Sequence, residues 1–378
     1  MGQYGACYPE SVCARLRSVT TKKKGKGAGR TVRIGPGPVT LKELAERLGL
    51  SPATVSLVMN RSPVADSIPQ ETKDRVFAAA KKFKYRPSFF ARSLRAQRSF
   101  TVGVIVPEVS DGYSASVMSG LEDHLLQEGY FYFVVSHRHR ADLIDEYPRL
   151  FLERSVDGLI AVDTPWTLML TVPVVTVSGH NQVKGVTNIV LDHVRAAEVA
   201  LKHLWQFGHR EIAFIKGQEF SSDTQVRWAN IQKAARQLGL PISAALISQL
   251  KGDSPSPELG YEATRKLLAS HKPFTALFAF NDISAMGAIR ALREAKLRVP
   301  DDVSVVGFDD IQSAAYQNPA LTTVRQPLRE MGRIAGETLL RRIRHPGSDA
   351  GGGEIMVEPK LMVRETTCRV ANGVPHSK

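Results

Sequence analysis

Between Ser99 and Phe308 the sequence alternates continuous apolar runs with stretches of helical period, and few folds accept that order. The runs are TVGVIVP (101–107), YFYFVV (130–135), DGLIAV (157–162), PVVTVS (173–178), EIAFIKG (211–217), ALISQL (245–250), FTALFAF (274–280) and VSVVGF (303–308). Helical patterns fall between them, from about Ser114 and over 143–152, 193–207, 224–239, 258–271 and 283–296, with one more at 327–344. A strand that is apolar on both faces must be covered on both faces, and intervening helices supply the cover. The order therefore predicts an α/β body with parallel sheets, and at this length more than one sheet.

Ligands of such sheets bind beyond the carboxyl ends of the strands. The polar groups that end apolar runs are Pro107–Tyr113, Ser178-Gly179-His180, Asn281-Asp282 and Asp309-Asp310. Each can instead be a helix N-cap, and that is the expectation for Asp282 and Asp310. No nucleophile elbow, phosphate-binding loop or metal-binding helix motif occurs, so no catalytic residue, cofactor or metal is expected. His137 and His139, in SHRHR, read as a solvated loop rather than ligands.

The chain before Ser99 is different. Thr40 and Glu43 form a capping box, and Leu41, Leu44, Ala45 and Leu48 share one helix face before Gly49. Ser51 then reads as an N-cap and Pro52 as the first residue of a second helix reaching about Asn60. Helix, short glycine turn, helix is the helix-turn-helix pattern. A third helix is expected from about Pro69 to Lys84, with Val76, Phe77, Ala80 and Phe83 as its apolar stripe. On a helical wheel Val55, Val58 and Met59 cluster as the core side of the second helix. Leu57 and Ala53 lie almost opposite, flanked by Ser56, Asn60 and Arg61. Such a small-polar face with one leucine suits a major groove, where hydroxyls bond phosphates or base edges and an apolar group meets a thymine methyl. Packing of Leu57 on another domain is the competing reading.

Charge separates the same two regions. Residues 1–98 hold 20 Lys/Arg against 6 Asp/Glu, and residues 99–378 hold 30 against 31. That asymmetry is the footprint of nucleic-acid binding. Residues 1–36, rich in Gly and Lys without periodicity, read as a disordered basic extension that a solubility role would equally explain. Residues 37–98 are patterned and need another reason. The three cysteines (Cys7, Cys13, Cys368) are too few and too scattered for a disulfide framework, and indicate a reducing cytoplasm. No eighteen-residue apolar run predicts a membrane span, and the N-terminus has no apolar segment of a secretory signal.

Residues 39–99, with VTLKELAERLGLSPATVSLVMN, ETKDRVFAAAKKFKYRP and ARSLR, resemble the DNA-binding head of the lactose-repressor/purine-repressor (LacI) family. ERSVDGLIAVD, LKHLWQFGHREIAFIKG, FNDISAMGAIRALREAKLRVPDDVSVVGFDDI and NPALTTVRQPLREMG extend the resemblance to about Arg369. It implies a periplasmic-binding-protein-like body of two lobes, with crossings near Asp192, Thr323–Pro327 and Gly351–Gly353, and with the helix 327–344 returning to the first lobe. The domains are then a 1–36 extension, a 37–86 helix-turn-helix domain, an 87–99 hinge, a 100–369 effector-binding and dimerisation body, and a 370–378 tail. Ser51–Asn60 corresponds to the recognition helix and Ala91–Arg95 to the hinge helix, with Leu94 as the minor-groove wedge. Candidate DNA contacts are Thr40, Ser51, Pro52, Ala53, Thr54, Ser56, Leu57, Asn60, Arg61, Ala91, Arg92 and Leu94. Candidate effector contacts are Tyr113, Ser178, Arg227, Asn281 and Asp309.

Several positions depart from the family pattern. Leu57 stands where Arg is usual, Ser88 where Asn is common, Ser178 where sugar binders often carry an acid, and Ser254 where some members have a stacking aromatic. The implied protein is a homodimeric cytoplasmic repressor that binds double-stranded DNA at a pseudo-palindromic operator. A small polar effector, of the sugar or related-metabolite class, would control it. Arg227 can clamp such a ligand or be paired internally with an acid. A solute-binding protein with the same body would have no use for residues 39–99, and an α/β enzyme would need a catalytic constellation that is missing.

Overall fold

The computed structural model describes residues 39–60, 62–85, 93, 96–253, 256–347 and 352–370. Arg61, Ser88, Ser254 and the hinge residues Ala91, Arg92, Leu94 and Arg95 lie outside the described residues, as do the 1–36 extension and positions 371–378. The chain divides into two compact units, Met1–Arg92 and Ser93–Lys378.

In the head, α1 (Leu41–Leu48) opens on the expected capping box. Glu43 N–H donates to Thr40 Oγ1 at 3.2 Å, and Thr40 N–H donates to the Glu43 carboxylate at 2.7 Å. Gly49 closes the helix at φ 65°, a left-handed conformation that a side chain would strain. Helix α2 (Pro52–Met59) is capped by Ser51, and α3 (Gln70–Lys82) follows a 3-10 turn at Pro63–Ser67 that the unpatterned SPVADS run had not announced. Leu44, Ala45, Val55, Val58, Val76, Ala79 and Ala80 form the core, with Met59 and Phe83 half-buried against it. Phe77, expected in the stripe, is exposed. The buried set 76, 79, 80, 83 is the i, i+3, i+4, i+7 face, and residue 77 lies about 100° away from it. Two short helices cover only that narrow strip.

The body contains β1 (Thr101–Val106), α4 (Gly112–Gln127), β2 (Phe131–Ser136), α5 (Ala141–Glu153), β3 (Gly158–Val162), β4 (Val174–Val177) and β5 (Val186–Leu191) in its first lobe. The second lobe has α6 (His193–Gln206), β6 (Ile212–Lys216), α7 (Ser222–Gln237), β7 (Ile247–Gln249), α8 (Pro257–Ala269), β8 (Ala276–Phe278), α9 (Asp282–Glu294), β9 (Ser304–Asp309) and β10 (Thr322–Arg325). Helix α10 (Leu328–Arg344) and β11 (Gly353–Val357), which belong to the first lobe, and β12 (Lys360–Met362), which belongs to the second, complete the body. The sheets run β11-β5-β4-β3-β1-β2 and β12-β10-β9-β8-β6-β7. The described pairings are parallel except for β12 against β10. Strands β1, β3, β4, β5 and β9 are buried along their whole length, as continuous apolar runs require.

The chain crosses between lobes at Asp192 and again between β10 and α10, both as expected. The third crossing is at residues 358–359, not at Gly351–Gly353. The glycines lead into β11, which pairs with β5 and so still belongs to the first lobe, while the next strand pairs with β10 in the second. Strands β5, β10, β11 and β12 escaped the sequence pattern. β5 buries Thr187 and Asn188 within its run, and the others are too short to show a period.

Helix α10 returns to the first lobe and crosses α4 backbone to backbone. A Cβ on Gly332 would lie 1.9 Å from the Val117 carbonyl oxygen, and one on Gly120 would lie 1.8 Å from that of Arg329. Gly332→Ala must therefore separate the helices. Overpacking of this kind costs about 1–3 kcal/mol, and each kcal/mol lowers Tm by about 2–4 °C in a domain of this size. An unchanged Tm in calorimetry would mean that the crossing is not this close.

His209 shows how the second lobe is tied together. It is buried between the Thr275 hydroxyl, 2.9 Å from Nδ1, and the Cys368 carbonyl, 3.0 Å from Nε2. Nε2–H donates to the carbonyl, which leaves Nδ1 to accept from the threonine, so the fit is to neutral imidazole. Burial lowers its pKa to about 4. With an unfolded value of about 6.5, its stabilising contribution is present above that pH and is lost as pH falls through about 4. The Tm advantage of the wild type over His209→Gln should shrink as pH drops from 6.5 to 4. A gap that stays constant or grows would contradict this.

Candidate functional site

The carboxyl ends of the central strands of both lobes meet at one cleft. Four residues that end strands there, or directly follow them, hold positive φ without being glycine: Asp163 at 39°, Ser178 at 57°, Asp309 at 106° and Asp310 at 57°. Such backbone is costly and persists where surrounding structure enforces it, commonly at functional sites. Tyr113, at the start of α4, places its hydroxyl 2.6 Å from Ser178 Oγ. Arg227, on α7, is buried with its guanidinium 3.7 Å over the Phe308 ring and 4.4 Å over that of Phe280. Its Nη2 donates to Asp223 Oδ2 at 2.6 Å and its Nη1 to the Phe280 carbonyl at 2.5 Å. Asp309 accepts from Gln326 Nε2 at 2.7 Å.

Of the two readings of Arg227, internal pairing with an acid is realised. The partner is Asp223, one helical turn earlier on α7. Burial pushes the Asp223 carboxyl up, but Arg227, a hydrogen bond from His180 and the neighbouring His193 ring 3.6 Å away outweigh this and hold it well below the usual range. The pairing leaves Arg227 Nε buried without a partner, so the guanidinium keeps one donor for a ligand. Burial, assisted by the neighbouring Asp223 charge, drives the Asp163 carboxyl well above its ordinary range. Burial does the same to Asp309, against the pull of Arg227 and with help from Asp282. The cleft thus combines a fixed cation, an ionised acid and two carboxyls biased toward their protonated, donating form.

The lobes touch here. Ser222 Oγ lies 2.8 Å from the Ser178 carbonyl oxygen and 3.2 Å from Asp163 Oδ1, and its single hydrogen serves one at a time. His180 Nε2 of the first lobe lies 2.5 Å from Asp223 Oδ1 of the second. The His139 ring packs against Phe220 with centroids 4.0 Å apart and the planes tilted by 32°.

Asn281 is the N-cap of α9: its Oδ1 accepts from Ser284 N–H at 2.9 Å, which leaves the amide NH2 for other use. Asp282 and Asp310 are not caps. Asp282 is fully buried and accepts from the Thr323 hydroxyl at 2.5 Å and Ile311 N–H at 2.9 Å, fastening β9 to β10. Burial lifts its pKa to about 7. Asp310 pairs with Arg325 and Arg364, each at 2.6 Å. His137 is not in a solvated loop either. It is buried, with Nε2 3.1 Å from Thr164 Oγ1 and Nδ1 accepting from His139 N–H at 3.0 Å, and burial lowers its pKa to about 4.

Sequence reasoning passed over Asp163, His193, Ser222 and Asp223. Asp163 ends the run GLIAVD and met the same strand-end criterion that found Ser178. Ser222 and Asp223 open the helix after β6. His193 follows the first crossing directly, and no local pattern distinguishes it.

On the head, Ala53 is exposed while Val55 and Val58 are buried, as the wheel reading of α2 expects; Leu57 is half-buried, as is Met59 on the expected core side. Ser51 and Thr54 hydroxyls bond each other at 2.8 Å, and Asn60 Nδ2 donates to the Ser56 carbonyl at 2.8 Å. These polar groups are drawn into the helix ends, which leaves Ala53 and Leu57 as the apolar part of the outer face.

A helix-turn-helix head on a two-lobed body with a strained, polar inter-lobe cleft defines a DNA-binding regulator with an effector-binding domain. Residues 40–88 match the model of "bacterial regulatory proteins, lacI family", and residues 201–367 that of a periplasmic binding protein-like domain. The transcriptional repressor PurR of Haemophilus influenzae is 32% identical over 339 residues, covering 86% of this chain and 98% of its own. A lac repressor dimer bound to operator and an anti-inducer superposes with TM-score 0.75 at 26% identity, over 88% of this chain and all of the other. A LacI-family regulator from Enterococcus faecium with bound ribose gives 0.61 at 27% identity, over 72% of this chain and 100% of the other. The chain belongs to the lacI family of bacterial regulatory proteins. No helix among the described residues is long and apolar enough to cross a membrane.

Proposed function

We propose that the protein is a cytoplasmic, homodimeric transcriptional repressor, not an enzyme, whose operator affinity is set by a small polar effector in the cleft. The observation that carries this reading is the pairing of an outward-facing Ala53/Leu57 surface on a basic head with a cleft that holds Arg227 between two aromatic rings. Two heads related by a two-fold axis would read half-sites of a pseudo-palindrome through successive major grooves. The edge strand β2, with Phe131 and Phe133 exposed, supports a dimer contact on the first lobe. Leu94 of each copy would wedge the minor groove at the centre.

Tyr113, Ser178, Arg227, Asn281 and Asp309 are the proposed effector contacts. One solved LacI-family transcriptional regulator carries bound ribose, and the polar donors here suit a hydroxyl-rich ligand of that kind. Effector binding would reset the lobe angle and with it the hinge, with a coupling of roughly 1–3 kcal/mol.

The dependence of DNA affinity on salt tests the reading. Each phosphate neutralised contributes a slope of about −0.9 to log affinity against log salt. A steep slope on a specific duplex, shifted by a small polar ligand, is expected. A salt-independent interaction, or no DNA binding at all, would favour a solute-binding protein.

A further inference from the structure

The cleft holds a second arrangement that hydroxyl recognition does not use. His180, on the loop after β4, His193, the first residue of α6, and Asp223, in the first turn of α7, bring ligand-type atoms within 4.8 Å of one another. His193 Nε2 lies 3.6 Å from Asp223 Oδ1, and His180 Nε2 lies 2.5 Å from the same oxygen. His193 is 95% buried (5% exposed), yet neither of its ring nitrogens has a hydrogen-bond partner. Buried polar atoms are almost always partnered, so an orphaned imidazole asks for a ligand.

We propose that His180, His193 and Asp223 form a binding site for a divalent transition-metal cation of the zinc type that closes the cleft. Two imidazoles and one carboxylate suit such an ion and leave a fourth position for water or a cleft ligand. Tetrahedral bonds of about 2.0–2.1 Å set donors roughly 3.3 Å apart. The His193–Asp223 distance is already close to that, and His180 has to draw back by less than an ångström, replacing its hydrogen bond by a metal bond. Arg227 holds the other carboxylate oxygen, Oδ2, at 2.6 Å, so Asp223 is oriented to offer Oδ1.

The ligands come from both lobes, His180 from the first and the other two from the second, so an ion here ties the lobes together. Its role as an effector rests on reading the cleft as the effector site; metal binding itself does not.

The test uses the full-length chain, stripped with a chelator and titrated with Co(II), with uptake followed by its visible absorption and by calorimetry, then by Zn(II) competition. One ion per chain is expected. His180→Ala and His193→Ala should each weaken uptake by at least roughly 10–100-fold, since even outer partners of metal ligands are worth that much. Circular dichroism confirms that the variants fold, and His193→Gln serves if the alanine does not. Cys7→Ser with Cys13→Ser should leave the affinity unchanged. No uptake, or uptake indifferent to both histidines, would overturn the site. The titration contains no DNA, so its failure leaves the repressor reading intact, and a protein without operator binding would still show the ion.

Discussion

Arg227→Ala should lower the stability of the body by roughly 3–5 kcal/mol, the usual cost of removing one partner from a buried ion pair. Asp223 would remain in the cleft without its counter-ion, at 5% exposure, and the stack on Phe308 and the bond to the Phe280 carbonyl would go with it. Replacing Arg227 and Asp223 together by apolar residues should recover most of the stability, because the pair's own desolvation then disappears as well. Urea denaturation of the four proteins in the cycle decides this. A single variant within 1 kcal/mol of wild type, in the same sense, would mean that the pair is open to water. The effector response should be lost in Arg227→Ala while the affinity of the ligand-free protein for its operator stays, provided the variant is assayed below its unfolding midpoint.

The second large effect falls on the head. Leu57→Arg should change the base preferred at one position in each half-site. A bidentate arginine–guanine contact discriminates by roughly 1–3 kcal/mol, and a dimer makes it twice. Leu57 is half-buried on the face opposite Val55 and Val58, so the longer arginine has room to extend outward without disturbing the core. Competition between duplexes that differ at single base pairs measures the change. An identical preference in both proteins would show that Leu57 does not face the bases and instead serves packing.

What could be read in the sequence follows from range. The capping box at Thr40 and Glu43, the cap at Ser51 and the turn at Gly49 are local, and each was legible because neighbouring residues complete it. Buried strands such as β1 and β3 were legible because both faces are covered and the run is apolar throughout, whereas β5, equally buried, was hidden by Thr187 and Asn188. Phe77 was misjudged because the width of an apolar stripe depends on what packs against it, which periodicity does not contain. The third crossing was misplaced for a related reason: β11 and β12 are defined by their partners β5 and β10, far away in sequence. The cleft divides the same way. Ser178 and Asp309 sit at strand ends, and Tyr113 closes the loop that follows β1, so all three could be found. The ties among Asp223, Arg227, His180 and His193 join a loop and two helices across the lobes, and only the folded chain brings them together. Asp282 and Asp310 show the converse: strand-end acids that look like caps, but which the fold spends on fastening β9, β10 and the C-terminal segment.

The central claim is specific DNA readout by a dimer, and one measurement meets it directly. The purified full-length protein is used to select bound fragments from a random duplex library at moderate and at raised salt, without and with candidate polar effectors. An enriched pseudo-palindrome with fixed half-site spacing, surviving the raised salt, is the predicted result. Binding that shows no sequence enrichment and vanishes with salt would contradict it, and would leave the cleft rather than the head as the working part of the chain.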